Sequence, residues 1–225
     1  MPSNKTPEDY LILVPVYNGA DYIRRFYQRV APEFRPQLLF IDDGSSDAGR
    51  DILSALGSRF ISHDGNRGKG AAIRSGLEYA RSHGIGQVIV IDVDLQHPPE
   101  YLRDFLDFQP RRIQIGYRRD RKTMPLQRKI SNFLTSLFIS VRTNSVIKDS
   151  QCGFRAFPVA LFTDSAFVTG GFQFESEMLI RAALRGYRIV HRPIPAVYGD
   201  EPTQMNNSKD TLRFIKLWFR SFFWT

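Results

Sequence analysis

The chain has 225 residues, of which 42% are hydrophobic and 24% are charged, a composition typical of one folded domain rather than of a disordered or fibrous protein. Its 31 lysines and arginines exceed its 23 acids by 8, so the net charge favours anionic partners such as nucleotides and lipid head groups. Cys152 is the single cysteine, which excludes an internal disulfide framework and predicts a reducing, cytosolic setting.

Two further classes of protein are not expected. No apolar run reaches the roughly 20 residues that span a bilayer, and no N-terminal stretch resembles a secretory signal, so any membrane contact is expected to be peripheral. The sequence also lacks a zinc pattern, a helix-turn-helix and the basic, aromatic strands of RNA-binding modules. We therefore expect no nucleic-acid partner.

Short apolar runs alternate with helical patterns from residue 10 to residue 116, after nine N-terminal residues that we expect to be flexible. The predicted strands are LILV, QLLFI, RFIS, QVIVID and RIQIG. The predicted helices between them begin at Asp21, Asp47, Lys69 and Pro98. This alternation predicts an α/β fold with a largely parallel sheet and helices on both faces. Right-handed crossovers place the carboxyl ends of the first four strands along one edge of the sheet, which we call the rim.

The second half of the chain is less regular. A basic segment at residues 117–122 precedes a predicted helix at residues 125–142, whose apolar side chains recur at helical spacing. These side chains are Ile130, Phe133, Leu134, Leu137, Phe138 and Val141. A helix around Phe174 to Leu184, a short strand at 187–191, a loop rich in proline, glycine and asparagine, and a final helix are expected to follow.

The segment QVIVIDVDLQHPPE, residues 87–100, places acids at the end of an apolar strand. Alternation along an extended exit would turn Asp92, Asp94 and Gln96 the same way, so that two carboxylates and an amide oxygen converge on a hard divalent cation. A simpler interpretation is that the acids cap the helix that Pro98 and Pro99 begin. The pattern alone leaves both interpretations open.

Two further strand ends carry polar residues at the rim. Pro15 directs the chain out of the first strand, and Tyr17 offers a ring that can stack on a planar base. Asp42 and Asp43 end the second strand, before a glycine turn and candidate helix caps at residues 45–47. Capping accounts for one of these acids, so another carboxylate is left to accept hydrogen bonds from a base or a ribose.

The segment GNRGKGAAIRSG, residues 65–76, puts Lys69 between glycines at a helix start. Free backbone N–H groups and the helix dipole attract an anion at such a position. The spacing differs from that of a Walker loop, and a solvated turn is the alternative interpretation.

Together the four strand ends carry VPVYN, DDGSSD, GNRGKG and DVDLQHPPE in this order, and the chain thereby resembles the inverting family 2 glycosyltransferases of the GT-A fold over almost its whole length. It looks most like the polyprenyl-phosphate sugar synthases of the dolichyl-phosphate mannose synthase type, whose DADxQHPP, GYR, GFR and terminal SK motifs have counterparts here. The resemblance implies one GT-A domain with a Rossmann-like sheet. Within it, a nucleotide-sugar half spans residues 10–116, an acceptor half spans 117–208, and an amphipathic helix spans 209–225.

The resemblance also implies a donor site. It assigns the nucleotide sugar to Pro15, Tyr17, Asn18, Asp42, Asp43, Lys69 and Asp92. It implies that Asp92, Asp94 and Gln96 bind Mg²⁺ or Mn²⁺ across the diphosphate, with Asp94 among the catalytic residues. One departure from the family pattern is Gly19, which replaces the acid that usually follows PTYN.

For the acceptor, the resemblance implies that Arg118, Arg128 and Ser131 grip a phosphate, a task that suits the fork of a guanidinium. Both arginines are also implied to be catalytic. The other acceptor residues implied by the family's motifs are Asp149, Arg155, Glu177 and Lys209. From the residues alone, Glu177 is equally an exposed helix residue or the i+4 partner of Arg181. The arginine that the family places before the terminal SK is not evident in this sequence.

Residues 211–225, TLRFIKLWFRSFFWT, predict a basic amphipathic helix. Arg213, Lys216 and Arg220 share one face. The remaining surface carries Leu212, Phe214, Ile215, Trp218, Phe219 and Phe222. Such a helix either packs on the core or a second subunit, or lies on a membrane surface, and a lipid acceptor favours the membrane.

The function implied by the resemblance is the transfer of a hexose, mannose or glucose, from a GDP- or UDP-sugar to a polyprenyl phosphate, with inversion. A lipid acceptor implies a peripheral location on the cytoplasmic face of a membrane, an anionic membrane surface as a partner and, as a further expectation, a membrane-spanning protein partner. Two alternatives stay open. One is a family 2 transferase that acts on a glycan hydroxyl, for which Asp149 or Glu177 would be the base. The other is a non-catalytic module that binds membrane surfaces.

Overall fold

The computed structural model of the chain describes residues 10–119, 124–163, 167, 169, 171, 173–195, 197 and 207–224. The nine N-terminal residues that were expected to be flexible lie outside these ranges. The strands are β1 (Tyr10–Val16), β2 (Leu38–Asp42), β3 (Phe60–Ser62), β4 (Gln87–Val90), β5 (Arg112–Arg118), β6 (Arg155–Pro158) and β7 (Arg188–Ile194). In the described residues they form one sheet with the order β3-β2-β1-β4-β6-β5-β7.

Helices surround this sheet. The α-helices are α1 (Ala20–Arg29), α2 (Gly49–Ala55), α3 (Lys69–Ser82), α4 (Leu126–Thr143), α5 (Ala160–Thr163), α6 (Gln173–Leu184) and α7 (Asn207–Arg220). Shorter 3₁₀ helices lie at Pro32–Gln37, Pro99–Phe105 and Ser221–Phe223. The helix predicted from Pro98 is thus a 3₁₀ helix, the hydrogen-bond pattern usual in short connectors.

The sheet is largely parallel, as the alternating pattern predicts. β1 lies between β2 and β4, pairs in parallel with both, and is buried along its whole length. Its apolar run is continuous because a central parallel strand is covered on both faces. α3 packs against β1 and β2, where Gly76 allows the helix to approach Leu13 and Ile41. The carboxyl ends of β1 to β4 therefore meet at the predicted rim.

β6 is the strand that the sequence pattern did not reveal. It lies between β4 and β5 and pairs antiparallel with both. Its four residues, RAFP, are too few to show a strand period. Because β6 and β7 flank β5, the second half of the chain supplies strands to the same sheet as the first half.

Arg155, the first residue of β6, fastens this strand to the preceding turn and to α6. Its side chain is 2% exposed and donates hydrogen bonds to the carbonyl oxygens of Ser150, Cys152 and Glu175 at 2.6, 2.7 and 2.8 Å. The guanidinium is thus enclosed by backbone acceptors. Arg155 thus has a buried structural role, and the acceptor contact that the family resemblance implies for it stays a prediction.

Helix α4 has a polar side that is buried and an apolar side that is exposed. Its buried residues are Asn132, Ser136 and Ile139. Asn132 donates to Asp149 at 2.8 Å, and the Ser136 hydroxyl donates to the Ser150 hydroxyl at 3.0 Å. The six apolar residues predicted at helical spacing are 40–69% exposed. Their spacing predicted the helix correctly, but the helix turns them outward.

Helix α7 packs on α4 and α6 through part of its apolar surface. Phe214 and Leu217 are buried, and the Trp218 indole N–H donates to the Phe138 carbonyl oxygen at 2.9 Å. The apolar side chains that are 42–86% exposed on α7 and on the 3₁₀ helix after it are Leu212, Ile215, Phe219, Phe222 and Phe223. One side of α7 therefore packs on the core, and another side exposes apolar residues to the exterior. Across the described ranges, no helix is long and apolar enough to span a bilayer.

We expect the substitution Arg155→Met to lower the free energy of unfolding by at least about 3 kcal/mol, because three buried carbonyl groups lose their donor at about 1–3 kcal/mol each. Urea unfolding followed by circular dichroism measures this change. Arg188→Met, at an exposed position of β7, is the matched control and should change the free energy by less than about 0.5 kcal/mol. Equal decreases in the free energy of unfolding of the two variants would contradict the role of Arg155 in fastening β6 to the preceding turn and to α6.

Candidate active site

Asn18 joins the two rim loops that follow β1 and β2. Its backbone is left-handed, with φ of 48°, and its N–H donates to the Ser45 hydroxyl oxygen at 2.9 Å. Its side-chain Oδ1 accepts a hydrogen bond from the Ser46 backbone N–H at 2.9 Å. Asn18 thus shapes the rim, and its predicted contact with a nucleotide sugar stays a prediction.

Pro15 and Tyr17 differ in what they offer a ligand. Pro15 is buried within β1 opposite Ile41, at a point where the pairing of β1 with β4 has ended at Leu13. Its missing N–H therefore breaks no ladder bond with β4. Tyr17 lies just beyond the strand and is 38% exposed. Of the two, only the Tyr17 ring is placed at the rim surface, where a planar base could stack on it.

Asp42 is buried and paired within the protein. It accepts hydrogen bonds from the Ser45 backbone N–H at 3.1 Å and from Arg50 Nε at 2.6 Å. Burial raises the pKa of Asp42, but the bonds from Ser45 and Arg50 together lower it more, so the pKa lies below its ordinary value. The rim therefore carries an ionised carboxylate in a fixed orientation.

Asp43 holds the loop that precedes α3. Its carboxylate lies 2.7 Å from His63 Nδ1 and accepts hydrogen bonds from the backbone N–H groups of Arg67 and Gly68 at 3.0 and 2.7 Å. Gly68 has a φ of 91°, which only glycine adopts readily. Asp43 therefore positions the start of α3, and with it Lys69.

Lys69 is the first residue of α3 and forms the central ion pairs of the site. Its Nζ lies 2.7 Å from Asp92 Oδ1 and 2.7 Å from Glu175 Oε1. Burial lowers the pKa of Lys69, but the two carboxylates raise it more, so the pKa lies above its ordinary value. Burial raises the pKa of Asp92, but the charge and hydrogen bond of Lys69, together with the nearby His97 and Arg155, lower it more and keep that pKa below its ordinary value.

Glu175, in the first turn of α6, is a site residue that the sequence did not reveal. The motif GFQFESEML drew attention instead to Glu177, which is fully buried. Glu177 accepts hydrogen bonds from the Thr169 N–H and hydroxyl at 2.9 and 2.6 Å and from Arg181 Nε at 2.8 Å. The i+4 pair with Arg181 is confirmed, and Glu177 also holds Thr169, while its predicted acceptor contact stays a prediction. Tertiary contacts, above all the ion pair with Lys69, distinguish Glu175 from its neighbours in the sequence.

The chain turns after β4 instead of continuing extended. Residues 93 and 94 form a turn, and Leu95 has a left-handed backbone with φ of 63°. Asp94 Oδ1 accepts a hydrogen bond from the Gln96 backbone N–H at 3.0 Å, which favours the turn over strand continuation. The prediction that an extended exit aligns the three oxygen donors is therefore wrong, although all three stay at the rim. A left-handed leucine costs about 1–3 kcal/mol, a strain that is common at functional sites.

Gly153, in the turn before β6, allows that turn to pack against Asp92. A Cβ atom at position 153 would lie 2.0 Å from Asp92 Oδ2. No larger residue fits without displacing the Asp92 carboxylate. The glycine of the GFR motif thus has a spatial explanation at the candidate cation site.

His97 has two ring nitrogens without a partner. The residue is 3% exposed, and neither Nδ1 nor Nε2 makes a hydrogen bond in the described structure. Burial lowers the pKa of His97 to about 4, so the ring is neutral at pH 7, with one donor and one acceptor. A bound ligand could supply the missing partners. The sequence pattern gave this residue no role beyond the turn.

Arg118, the last residue of β5, is 8% exposed and held by Asp149. Its Nε and Nη2 each lie 2.8 Å from one oxygen of that carboxylate, a bidentate pair. Asp149 is fully buried and also accepts the bond from Asn132 of α4. Asp149 therefore orients Arg118 beside α4, and its predicted acceptor contact stays a prediction. The predicted phosphate contact of Arg118 stays a prediction.

Arg128 and Ser131 lie on the first two turns of α4, and both are partly exposed. Ser131 Oγ accepts a hydrogen bond from Gln151 Nε2 at 3.3 Å. The contact of Asn132 with Asp149 brings this end of α4 to Arg118. Lys209 belongs to α7, and its side chain lies outside the described part of the structure.

A cleft of about 560 Å³ opens beside the loop before α3. Its described lining includes four cationic residues and no acid. The cationic residues are Arg67, Arg213, Lys216 and Arg220. The basic face predicted for α7 therefore faces this cleft, which attracts anions next to the rim.

The oxygen donors Asp92, Asp94 and Gln96 are of the type that Mg²⁺ and Mn²⁺ prefer. Among the residues that the structure describes, no three histidine, cysteine, aspartate or glutamate side chains group closely enough to hold a metal ion by themselves. The Asp92 carboxylate is moreover engaged by Lys69. A divalent cation held by these donors would need further ligands, such as the oxygens of a diphosphate, and would compete with Lys69 for Asp92.

We expect His97→Leu to raise the free energy of unfolding at pH 7 by about 1 kcal/mol, because leucine fills a similar volume without unpartnered nitrogens. The pKa of about 4 in the folded protein lies below the ordinary 6.5. Between these values the unfolded chain binds a proton that the folded protein does not, so stability is lost as the pH falls from about 6.5 to 4. His97→Leu should therefore flatten this fall.

Urea unfolding at several pH values in this window checks the expectation. His83→Leu, at an exposed position after α3, is the control and should leave the slope unchanged. A His97→Leu variant that is less stable than the parent at every pH would show that the ring has a stabilising partner.

Comparison with known proteins agrees with the fold. The family model described as glycosyl transferase family 2 matches residues 11–169. A dolichyl-phosphate hexose transferase of Haloferax volcanii is 30% identical over 161 residues, which cover 68% of this chain and 67% of the relative. A UDP-N-acetylglucosamine–dolichyl-phosphate N-acetylglucosaminyltransferase of Methanococcus voltae is 25% identical over 215 residues, which cover 83% of this chain and 85% of that relative.

A solved structure extends the comparison to three dimensions. Glucosyl-3-phosphoglycerate synthase from Mycobacterium tuberculosis, in complex with Mn²⁺, UDP and phosphoglyceric acid, has a TM-score of 0.75 at 18% identity. The match covers 94% of this chain and 78% of that chain, and at this identity it shows the fold alone, that of GT-A glycosyltransferases. Because the family model spans well over half of the chain, the protein belongs to glycosyl transferase family 2 and is a glycosyltransferase related to the polyprenyl-phosphate sugar synthases.

Proposed function

We propose that this enzyme transfers a hexose, mannose or glucose, from a GDP- or UDP-sugar to a polyprenyl phosphate at a membrane surface, with a divalent cation and with inversion at the anomeric carbon. The observation that carries the proposal is the construction of α4. Its first turns bear the candidate phosphate-binding residues Arg128 and Ser131, and an exposed apolar side runs along its length. A polyprenyl phosphate has the same two parts, an anionic head and an apolar chain. Two relatives named as dolichyl-phosphate transferases support this acceptor class.

The acceptor phosphate would lie between the end of β5 and the start of α4. Arg118 is oriented there by its bidentate pair with Asp149, and Asn132 ties the same carboxylate to α4. A guanidinium fixed in this way holds a phosphate without further ordering of its own side chain. Arg128 adds a second guanidinium on the adjacent helical turn.

The chemistry of a phosphate acceptor also fits the buried acids. A phosphate monoester has a second pKa of about 6, so it is anionic at pH 7 and attacks the anomeric carbon without a protein base. The nucleoside diphosphate departs from the opposite side, which inverts the centre. A glycan hydroxyl would need a carboxylate base, but both candidates, Asp149 and Glu177, are fully buried and bonded to neighbouring side chains. This disfavours the hydroxyl acceptor.

The nucleotide sugar would lie along the rim. Tyr17 offers a stacking surface for the base, and the basic cleft beside Arg67 attracts the anionic donor. A divalent cation bound by Asp92, Asp94 and Gln96 would offset the charge that develops on the departing diphosphate. Mn²⁺ and UDP are present together in the complex of the mycobacterial synthase, which has the same fold.

The exposed apolar sides of α4 and α7 support a peripheral position on a membrane. Five residues of α7 and the 3₁₀ helix after it, and six residues of α4, present aromatic and aliphatic side chains to the exterior. Apolar side chains of this kind give amphipathic helices their membrane affinity when they enter the lipid. The charge of +8 favours the anionic lipids of a cytoplasmic leaflet. A membrane-spanning protein partner would add a second anchor.

The assay that tests the reaction incubates the purified protein with Mn²⁺, a panel of GDP- and UDP-sugars, and either polyprenyl phosphate or glycan acceptors. We expect product with polyprenyl phosphate. Asp94→Asn should lower kcat/KM by about 100-fold, because it weakens charge stabilisation at the leaving group. Asp104→Asn, an exposed acid in the 3₁₀ helix after β4, is the control and should be unaffected. Product formed only with hydroxyl acceptors would overturn the proposed acceptor.

We expect the double substitution Phe133→Glu and Leu137→Glu to weaken binding to vesicles that contain anionic lipids by at least about tenfold, because two side chains that would enter the lipid become charged. Cosedimentation with vesicles measures this. Both side chains are exposed, at 62% and 46%, so thermal stability should stay close to that of the parent. Leu184→Glu, on the exposed side of α6, is the control. Unchanged vesicle binding by the α4 variant would contradict the membrane role of this surface.

A further inference from the structure

Three distant segments of the chain meet at the ammonium group of Lys69. They are the first turn of α3, the exit of β4 and the first turn of α6. The Lys69 Nζ lies 2.7 and 2.9 Å from the two oxygens of Asp92 and 2.7 Å from Glu175 Oε1. The three side chains are only 11–20% exposed, so solvent and salt screen their charges weakly.

The charges of this cluster are balanced in the described structure. Arg155 Nη2 lies 3.6 Å from Glu175 Oε2, so two carboxylates face two cationic groups. A divalent cation at Asp92 would meet the Lys69 ammonium at the same carboxylate. Like charges at that separation repel strongly in a partly buried site. The cation and Lys69 are therefore competitors for Asp92.

Lys69, rather than Asp92, is the partner that can move. The turn before β6 packs Gly153 against Asp92, with the space for a Cβ atom already filled by the carboxylate. Asp92 is thus confined, whereas lysine carries its ammonium on four flexible methylene groups. An exchange at Asp92 must proceed by displacement of the Lys69 side chain.

Glu175 provides the second contact that Lys69 needs during such an exchange. It already accepts an ion pair from Lys69, and it lies outside the DVDLQ segment, so the proposed cation ligands do not include it. With Glu175 present, Lys69 loses one of two carboxylate contacts when the cation arrives. Without Glu175, the Lys69 ammonium group would pair with Asp92 alone and hold it more tightly. The cation would then displace Lys69 from Asp92 less readily.

We infer that Glu175 is a positioning residue that retains Lys69 while Asp92 exchanges its ion pair with Lys69 for a divalent cation. The inference rests on the proposed function, because that proposal supplies the cation. It adds a role for Glu175 that no motif in the chain assigns. It also makes Lys69 an internal competitor that sets the apparent affinity of the site for the cation.

Binding of Mn²⁺, measured by electron paramagnetic resonance on the purified full chain first without nucleotide and then with UDP or GDP, tests the exchange. Glu175→Gln should weaken Mn²⁺ binding by about tenfold, and Lys69→Met should tighten it by about tenfold, since couplings of this kind commonly change affinity by 5- to 150-fold. The double variant should bind like Lys69→Met, because Glu175 acts only through Lys69. Glu78→Gln, an exposed acid on α3, removes the same charge elsewhere and should have no effect.

The double variant separates positioning from a general loss of charge. If Glu175→Gln weakens Mn²⁺ binding equally with and without Lys69, Glu175 acts on the cation directly and the exchange is overturned, while the proposed function stands. If neither the parent nor Lys69→Met binds Mn²⁺, either without nucleotide or with UDP or GDP added, the cation of the proposed function is overturned together with the exchange. Thermal unfolding checks that each variant is folded. Should Glu175→Gln not fold, Glu175→Asp keeps the charge with a shorter reach and should weaken binding to a smaller extent.

Discussion

The Asp92 carboxylate is the contact on which the arrangement of the site depends. β4 delivers it to the rim, α3 supplies Lys69, and the turn before β6 places Gly153 against it. That turn reaches Asp92 because β6 runs antiparallel between β4 and β5. Arg155 secures the turn through the carbonyl oxygens of Ser150 and Cys152 and links it to α6. One short strand therefore brings the second half of the chain to the acids of the first.

Much of the first half could be predicted from the sequence because its signals are local. Each buried strand is a continuous apolar run, and each run is followed by a helical pattern, so the parallel order of β1 to β4 and the shared rim follow from general rules. The start of α3 at Lys69 agrees to the residue. β6 and Glu175 escaped prediction because a four-residue strand has no readable period and the ion pair joins residues 106 positions apart. The turn at Leu95 escaped because a left-handed leucine has no sequence signal.

Helix α4 shows a different limit of sequence patterns. Helical spacing of apolar residues predicts a helix with two unlike sides, but it does not say which side faces the protein. Here the inner side is polar because Asp149 and Ser150 offer partners to Asn132 and Ser136. Buried polar groups are tolerated when they are paired in this way. The apolar side then faces the exterior. Which side of α4 faces the protein is thus decided by the turn with Asp149 and Ser150, which follows the helix in sequence.

The ion pairs of Arg118 and those of Lys69 differ in how readily they can separate. Arg118 contacts Asp149 through Nε, Nη2 and the backbone N–H, and Asp149 is fully buried, so separation would leave a buried charge without its partner. Lys69 divides its charge between two carboxylates and keeps one of them if it leaves the other. The arginine pair therefore acts as a fixed support for an anion beside α4. The lysine pairs form an exchangeable contact, and this difference allows a cation to enter at Asp92 while the acceptor side keeps its geometry.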